Sequence, residues 1–256
     1  MEHPIYQKIE QAEKVDFGDL LSKSFDLFKK IWVQCFMHTL IVMAVAIPVI
    51  LFAYAPILPE YLNMIEASVH GYEYEVGTGY GILQIVLFVV AVLVASIFIQ
   101  VLSYAVLAHF FLVCKKEDTG TPVQTGGYLV FLKTSFGKLI TLSLAAMGIT
   151  IIAAVLCYLP LLYVIVPLNL IVPIFAFNSQ MSVGEIIRAS FKLGHKYWLF
   201  LLGLIIVASL LSALGYIACG VGILFTAYFA YIPLYFFYKQ TIGFEGAPGY
   251  LPPTNA

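Results

Sequence analysis

A chain of 256 residues is long enough for one or two globular domains, but 62% of these residues are hydrophobic, 11% are charged and the mean hydropathy is +0.97. That is more apolar surface than a soluble core absorbs. A net charge of −1, with no run of consecutive basic residues longer than two, argues against nucleic acid as a partner.

Residues Met1 to Asp16 are polar and mixed in charge, so no apolar leader is expected there and the first long helix is expected to target the chain. A helix crossing about 30 Å of hydrocarbon needs roughly 20 apolar residues. Four runs free of Asp, Glu, Lys and Arg meet this requirement. Trp32 to Ala55 gives one crossing, at residues 32–55. Residues 82–113 would make a helix of about 48 Å, too long for one upright span and too short for two, and read as one tilted or protruding helix. Leu139 to Phe177 and Trp198 to Tyr238 are long enough to fold back once each. The first breaks at Cys157-Tyr-Leu-Pro160, where proline removes a donor and disfavours helix before it. The second breaks at Cys219-Gly-Val-Gly222, a flexible glycine pair. The resulting spans are 139–158, 161–177, 198–218 and 222–238. The expected fold is all-α: a polytopic membrane protein with six transmembrane helices in three hairpins, a single membrane domain over 1–242 and a disordered tail over 243–256.

Lys and Arg near helix ends set orientation, because they stay on the cytoplasmic side during insertion. All 13 fall in Met1 to Ile31, Cys114 to Lys138, Ser179 to Tyr197 or the tail from Lys239, which six crossings put on one face. The segment Pro56 to Gly81 holds Glu60, Glu66, Glu73 and Glu75 and no basic residue, and reads as an outer loop. Both termini are therefore expected in the cytoplasm.

A gapless internal repeat matches Gly18-Asp-Leu-Leu-Ser-Lys-Ser-Phe-Asp-Leu-Phe-Lys-Lys-Ile-Trp32 with Gly184-Glu-Ile-Ile-Arg-Ala-Ser-Phe-Lys-Leu-Gly-His-Lys-Tyr-Trp198. Both copies are amphipathic at helical period. Leu20, Leu21, Phe25, Phe28 and Ile31 oppose Asp19, Lys23, Asp26 and Lys30. Val183, Ile187, Phe191 and Gly194 oppose Glu185, Arg188, Lys192 and Lys196. Interfacial helices over 18–31 and 183–197 are expected before spans one and five, their cations meeting anionic lipid head groups at about 1 kcal/mol each. A weaker third copy runs from Tyr128 to Lys138, before span three.

These features together resemble a broad bacterial family. They are the basic helix Gly-Glu-Ile-Ile-x-x-Ser-Phe-x-Leu-x-x-x-x-Trp before span five, a fourth span bearing Pro160, Pro167 and Pro173, and Gly-x-Gly222 before Tyr231, Pro233, Tyr235, Phe236 and Tyr238. The family comprises inner-membrane proteins of the YciC type and the membrane domain attached to some glycerophosphoryl diester phosphodiesterases. The resemblance implies a six-span domain in a bacterial inner membrane. No soluble phosphodiesterase domain stands in this sequence, so that activity does not carry over.

No Asp, Glu, Lys or Arg lies inside an expected span, which weakens ion-coupled transport and intramembrane hydrolysis alike. The intramembrane polar residues are Gln34 and His38 on the first span, Gln100 and His109 on the second and Asn169 on the fourth. By helical rise His38 lies about 9 Å in from Trp32 and His109 about 6 Å in from Val113, so neighbouring antiparallel helices would let them meet. Two imidazoles lack the third ligand of a metal site, and interhelical hydrogen bonding is the commoner use. No catalytic, cofactor or metal residues are assigned.

Cys157 and Cys219, both at outer helix ends, are the two cysteines free to pair; buried thiols are the alternative. Gly77-Thr-Gly79-Tyr-Gly81 reads as a flexible loop, and Glu73 and Glu75 as solvated carboxylates rather than a cation site. Prolines within spans kink helices or line substrate sites. The leading expectation is a non-enzymatic membrane protein that organises the envelope or serves as a subunit beside a protein partner. Behind it stand a transporter or flippase for a lipid or small uncharged molecule, and a membrane-embedded lipid enzyme using His38 and His109. A polar cavity beside Asn169 and Pro167 would favour transport, and a filled core the structural reading.

Overall fold

The computed structural model describes residues 3–72, 82–120, 123, 125–156, 159–217 and 220–244. The readings placed on Glu73, Glu75, the glycine run 77–81, Cys157, Cys219 and the tail beyond Phe244 lie outside these residues. Every regular element among the described residues is helical. In order they are α1 (Ile5–Gln11), α2 (Phe17–Tyr54), α3 (Leu58–His70), α4 (Ile82–Thr119), α5 (Val130–Thr134), α6 (Phe136–Val155), α7 (Leu159–Phe177), α8 (Val183–Lys196), α9 (Trp198–Ala213), α10 (Ile223–Thr226) and α11 (Ile232–Thr241). Five runs, Phe17–Ile57, Ile85–Thr119, Phe136–Val155, Leu159–Phe177 and Trp198–Ile217, are long and apolar enough to cross a membrane.

The expected sixth segment, 222–238, is not one helix but α10, a 3₁₀ turn (Ala227–Tyr231) and α11. Pro233 sits in the first turn of α11 and has no N–H for the carbonyl of Phe229, so the helix restarts there. The break before α7 falls where the sequence put it, with Pro160 in the first helical turn. Gly215, beyond α9, lets α10 approach closely: a Cβ there would lie 2.2 Å from the Thr226 hydroxyl. That approach lets Ser212 and Thr226 exchange hydrogen bonds, each hydroxyl donating to the other's carbonyl at 2.7 and 2.6 Å. Within the segment read as the outer loop, residues 58–70 form α3, closed by Gly71 at φ +72°.

The two copies of the repeat share their buried seam and differ in their ends. Leu20, Ser24 and Leu27 in one copy, and Ile186, Ser190 and Leu193 in the other, are buried at matching positions. Ser24 and Ser190 each donate to the carbonyl one turn earlier. The seam runs through Leu20, Ser24, Leu27 and Ile31 rather than through Phe25, which is exposed. The first copy is not a separate interfacial helix. It is capped by Asp16, which accepts from the amide of Asp19, and runs unbroken into the span as one 38-residue helix. No proline or glycine between Phe17 and Trp32, apart from Gly18 in the first turn, gives it a reason to stop. The second copy, α8, does stop. Ser182 and Glu185 cap it reciprocally, and the Ser182 hydroxyl and amide hold the Glu185 carboxyl below the usual carboxylate range. At its other end Gly194 lies against Pro167 of α7, where a Cβ would come within 3.0 Å of the proline Cα. Tyr197 then leaves helical geometry before α9 begins. The third copy is reduced to the five residues of α5.

The cations of α8 touch α1, while Arg188 and Lys196 also remain exposed. α1 buries Ile5, Tyr6 and Ile9, one face at helical spacing. The Lys196 ammonium donates to the carbonyls of Ile9, Glu10 and Ala12 at 2.8, 2.9 and 2.8 Å, closing the C-terminal end of α1. Lys192 pairs with Glu10 at 2.6 Å, and Arg188 and Lys192 stand over the Tyr6 ring. Tyr197 donates to the carbonyls of Ala12 and Glu13.

Contacts between distant segments gather at one end of the bundle. Asp118 at the end of α4 accepts from Tyr235 and Lys239 of α11, both at 2.6 Å. Asp19 of α2 accepts from Gln240. Lys138 of α6 donates to the carbonyls of Ser179 and Met181. The buried core occupies this half: α4 is buried continuously in sequence over Ala105 to Cys114 but exposed at Val86, Val90 and Val94.

Hydrogen exchange along α1 tests the Lys196 clamp. Lys196→Met is expected to cost about 1 kcal/mol of local stability and to speed exchange over residues 5–11 several-fold. The Lys192 hydrogen bond and charge hold the Glu10 carboxyl below its ordinary range. A depressed carboxylate stabilises above its unfolded pKa and loses that contribution as pH falls through the folded one. Exchange over α1, corrected for the intrinsic rate, should therefore rise on acidification below the ordinary carboxylate range, and the rise should flatten in Lys192→Met.

Candidate functional site

α2 and α4 run side by side in opposite directions and bring His38 against His109, as their helical positions anticipated. His38 Nε2 lies 2.9 Å from His109 Nδ1, with both residues buried. His38 Nδ1 is 2.6 Å from the carbonyl of Gln34. A carbonyl only accepts, so Nδ1 carries the His38 proton; His109 is also bonded to the Gly126 backbone, and one hydrogen lies between the two rings. The rings of Tyr128 and Tyr228 pack on His38 at 5.0 and 5.4 Å, and the Tyr128 hydroxyl donates to Gln34 Oε1 at 3.0 Å. Among the described residues no group of three or more His, Cys, Asp or Glu side chains is placed to hold a metal ion. The two ring nitrogens bond to each other, which is the geometry of a helix-to-helix tie.

The five polar residues read from the sequence form two sites, not one. Gln34, His38 and His109 make the tie. Gln100 and Asn169 line a separate cavity of about 460 Å³ with Thr39, Ser103, Tyr104, Leu107, Tyr228 and Tyr231. Tyr228 belongs to both, its ring on His38 and its edge at the cavity. The volume lies in the range of small-molecule sites. By helical rise Asn169 is about 12 Å from the Phe177 end of α7 and about 15 Å from the Leu159 end, near mid-span.

Polar groups in the cavity wall are partly committed. Asn169 Nδ2 donates to the carbonyl of Ile165 at 2.8 Å, and Gln100 Nε2 to the Tyr104 hydroxyl at 3.2 Å. The Thr39 hydroxyl donates to the carbonyl of Cys35 at 2.9 Å. None of the lining side chains is Asp, Glu, Lys, Arg or His. The prolines of α7 free carbonyls one turn back. The carbonyl that Pro167 leaves, on Tyr163, accepts from the Trp198 indole at 3.2 Å. The one that Pro173 leaves is on Asn169 itself. Pro167 is buried against Gly194 and does not line the cavity.

Sequence reasoning missed Tyr104, Ser103, Thr39 and Tyr128. Tyr104 stands four residues after Gln100, on the same face of one helix, a spacing that was there to be read. Tyr128 is brought to the histidines by the chain's return after α4, which no periodicity encodes. Family models, curated proteins and solved structures were compared with this chain, and none matches.

A double-mutant cycle on the tie gives a definite outcome. His38→Leu or His109→Leu alone should destabilise the detergent-solubilised protein by about 1–3 kcal/mol, because each strands the other ring's nitrogen. The double variant should cost less than the sum, with a coupling of about 0.6–2 kcal/mol read from thermal unfolding.

Proposed function

We propose that this chain is a non-enzymatic transport or lipid-handling protein that takes an uncharged amphipathic molecule from the bilayer into the cavity beside Asn169. The observation that carries this reading is an uncharged cavity at mid-span depth whose mainly apolar wall carries the polar side chains of Gln100, Tyr104 and Asn169. A structural subunit has no use for hydrogen-bonding groups left uncommitted at that depth, where each is costly. An ion-coupled transporter or a hydrolase would place an ionised group or metal ligands there.

The topology that suits this role has six crossings in three hairpins. The broken run from Ile223 to Thr241 counts as the sixth; with its 3₁₀ stretch it extends about 30 Å. The end that gathers the lysines and Arg188 lies in the cytoplasm with both termini, and α3 lies at the outer surface. The resemblance described above supports a bacterial inner membrane as its location. Anionic head groups meet the cations that α1 leaves uncovered, such as Lys29 and Lys30, both exposed.

Two measurements test the reading. Ser103→Trp, which fills the cavity, should cut the lipid retained by protein purified in mild detergent, read by native mass spectrometry, by roughly tenfold in occupancy at limiting lipid. Unchanged retention removes the cavity from the function. A cysteine at residue 70 should react with a membrane-impermeant maleimide from the outer side of intact cells, and one at residue 14 only after lysis.

A further inference from the structure

A second concavity adjoins the first at Gln100. It measures about 460 Å³, is bordered by Gln100 and Ser103, and is lined by Ile50, Ala53, Tyr54, Val92, Ala95, Ser96 and Ile99. The two together follow one face of α4 from Val92 to Leu107 and one face of α2 from Thr39 to Tyr54, about 22 Å by helical rise. One end is polar. The other is mainly apolar, bordered by the small side chains of Ala53, Ala95 and Ser96, and runs about 16 Å from Val92 to Ser103 by helical rise.

From this adjacency we propose that the site binds a single-chain lipid with an uncharged, hydroxyl-bearing head, of the monoacylglycerol class. The head lies at Gln100, Tyr104 and Asn169, and the chain lies along the α2–α4 groove. The proposal rests on the cavity being the binding site argued above, and it adds the chemistry of the occupant.

Charge is the first discriminator. With no ionised side chain in either lining, a carboxylate or phosphate head would sit at mid-span without a counter-ion. Hydrogen-bond polarity is the second. Asn169 gives one amide hydrogen to the carbonyl of Ile165 and Gln100 one to the Tyr104 hydroxyl; each side chain keeps one N–H and its oxygen, Oδ1 or Oε1, for a ligand. Pro173 leaves the Asn169 carbonyl without its helical donor, a third acceptor. Tyr104, accepting from Gln100, keeps its own O–H to give. The lining therefore offers acceptors and donors together, the hydroxyls of Ser103, Tyr104, Tyr228 and Tyr231 among the donors. An alcohol meets both needs, whereas a head made only of carbonyls, as in a quinone, supplies no donor. Exchange of each unmet acceptor for a hydrogen bond in this setting is the term that separates the two.

The test uses the full chain in mild detergent, titrated by native mass spectrometry with 1-oleoylglycerol, methyl oleate, oleate, oleoyl lysophosphatidylglycerol and a short-chain ubiquinone. The expected result is 1-oleoylglycerol binding roughly tenfold tighter than methyl oleate or the quinone, with the two charged lipids no better than methyl oleate. The double variant Gln100→Leu, Asn169→Leu should lower 1-oleoylglycerol to the level of methyl oleate without weakening methyl oleate itself. Ala95→Phe in the groove should weaken both. Thermal unfolding identifies any variant that has lost its fold, and the five-probe ranking on the unaltered chain stands without the variants. Tightest binding of a charged lipid or the quinone, or a leucine variant that keeps the preference, overturns this inference while leaving the cavity reading standing. Failure of every probe to bind, with lipid retention unaltered by Ser103→Trp, overturns both. A dimer cross-linked through Ala95→Cys would assign the groove to a second copy and also overturn the proposal.

Discussion

Hydrocarbon offers no hydrogen bonds, so every polar group that enters it has to find a partner on the protein. That constraint accounts for more of this molecule than hydrophobicity does. It explains why the long elements are helices, and why their irregularities coincide with specific side chains. The carbonyl orphaned by Pro167 meets the indole of Trp198. Where α9 and α10 break, Ser212 and Thr226 exchange hydrogen bonds across the gap. His38 and His109 close each other's valence between α2 and α4. Among the described residues the hydroxyl of Ser143 is the buried side-chain polar atom without a partner.

Against that background the uncommitted groups around Gln100, Tyr104 and Asn169 stand out. They lie at the depth where leaving an acceptor unmet costs most, yet the packing of α2, α4, α7 and the turn Ala227–Tyr231 leaves space beside them rather than closing over it. Toward the charged end, α4 buries Phe110 and Phe111, and α11 buries Tyr235. The molecule thus divides into a closed half, where the charged ends interlock, and a looser half, where α2 and α4 diverge around a groove. A firm base with a yielding upper part is the arrangement by which a bundle admits a guest without losing its own fold.

Much of the fold was legible in the sequence because charge and apolar length act locally. Runs free of ionised residues marked where helices lie, Pro160 marked where α7 starts, and His38 and His109 met because their depths matched. What could not be read depends on tertiary partners. Residues 18–32 and 184–198 repeat one pattern, identical at 6 of 15 positions, yet one continues into its span and the other stops at Tyr197, just past the glycine that lies against Pro167. The basic face of α8 reads as a lipid-binding surface; nothing within residues 183–197 announces that α1 docks on Lys192 and Lys196. Gln100 and Asn169 were grouped with the histidines as polar residues in lipid, and only the packing of Tyr228 between them shows two compartments.

The hold of Lys196 on the carbonyls near Ile9 bears on how the molecule is made. The two partners are 187 positions apart in sequence. At ribosomal speeds of about 5–20 residues per second, the opening helix emerges roughly 10–40 s before its anchor has been synthesised. During that interval Ile5, Tyr6 and Ile9 have no home and are open to chaperones and proteases. Their seating marks a nascent chain that has been made as far as α8.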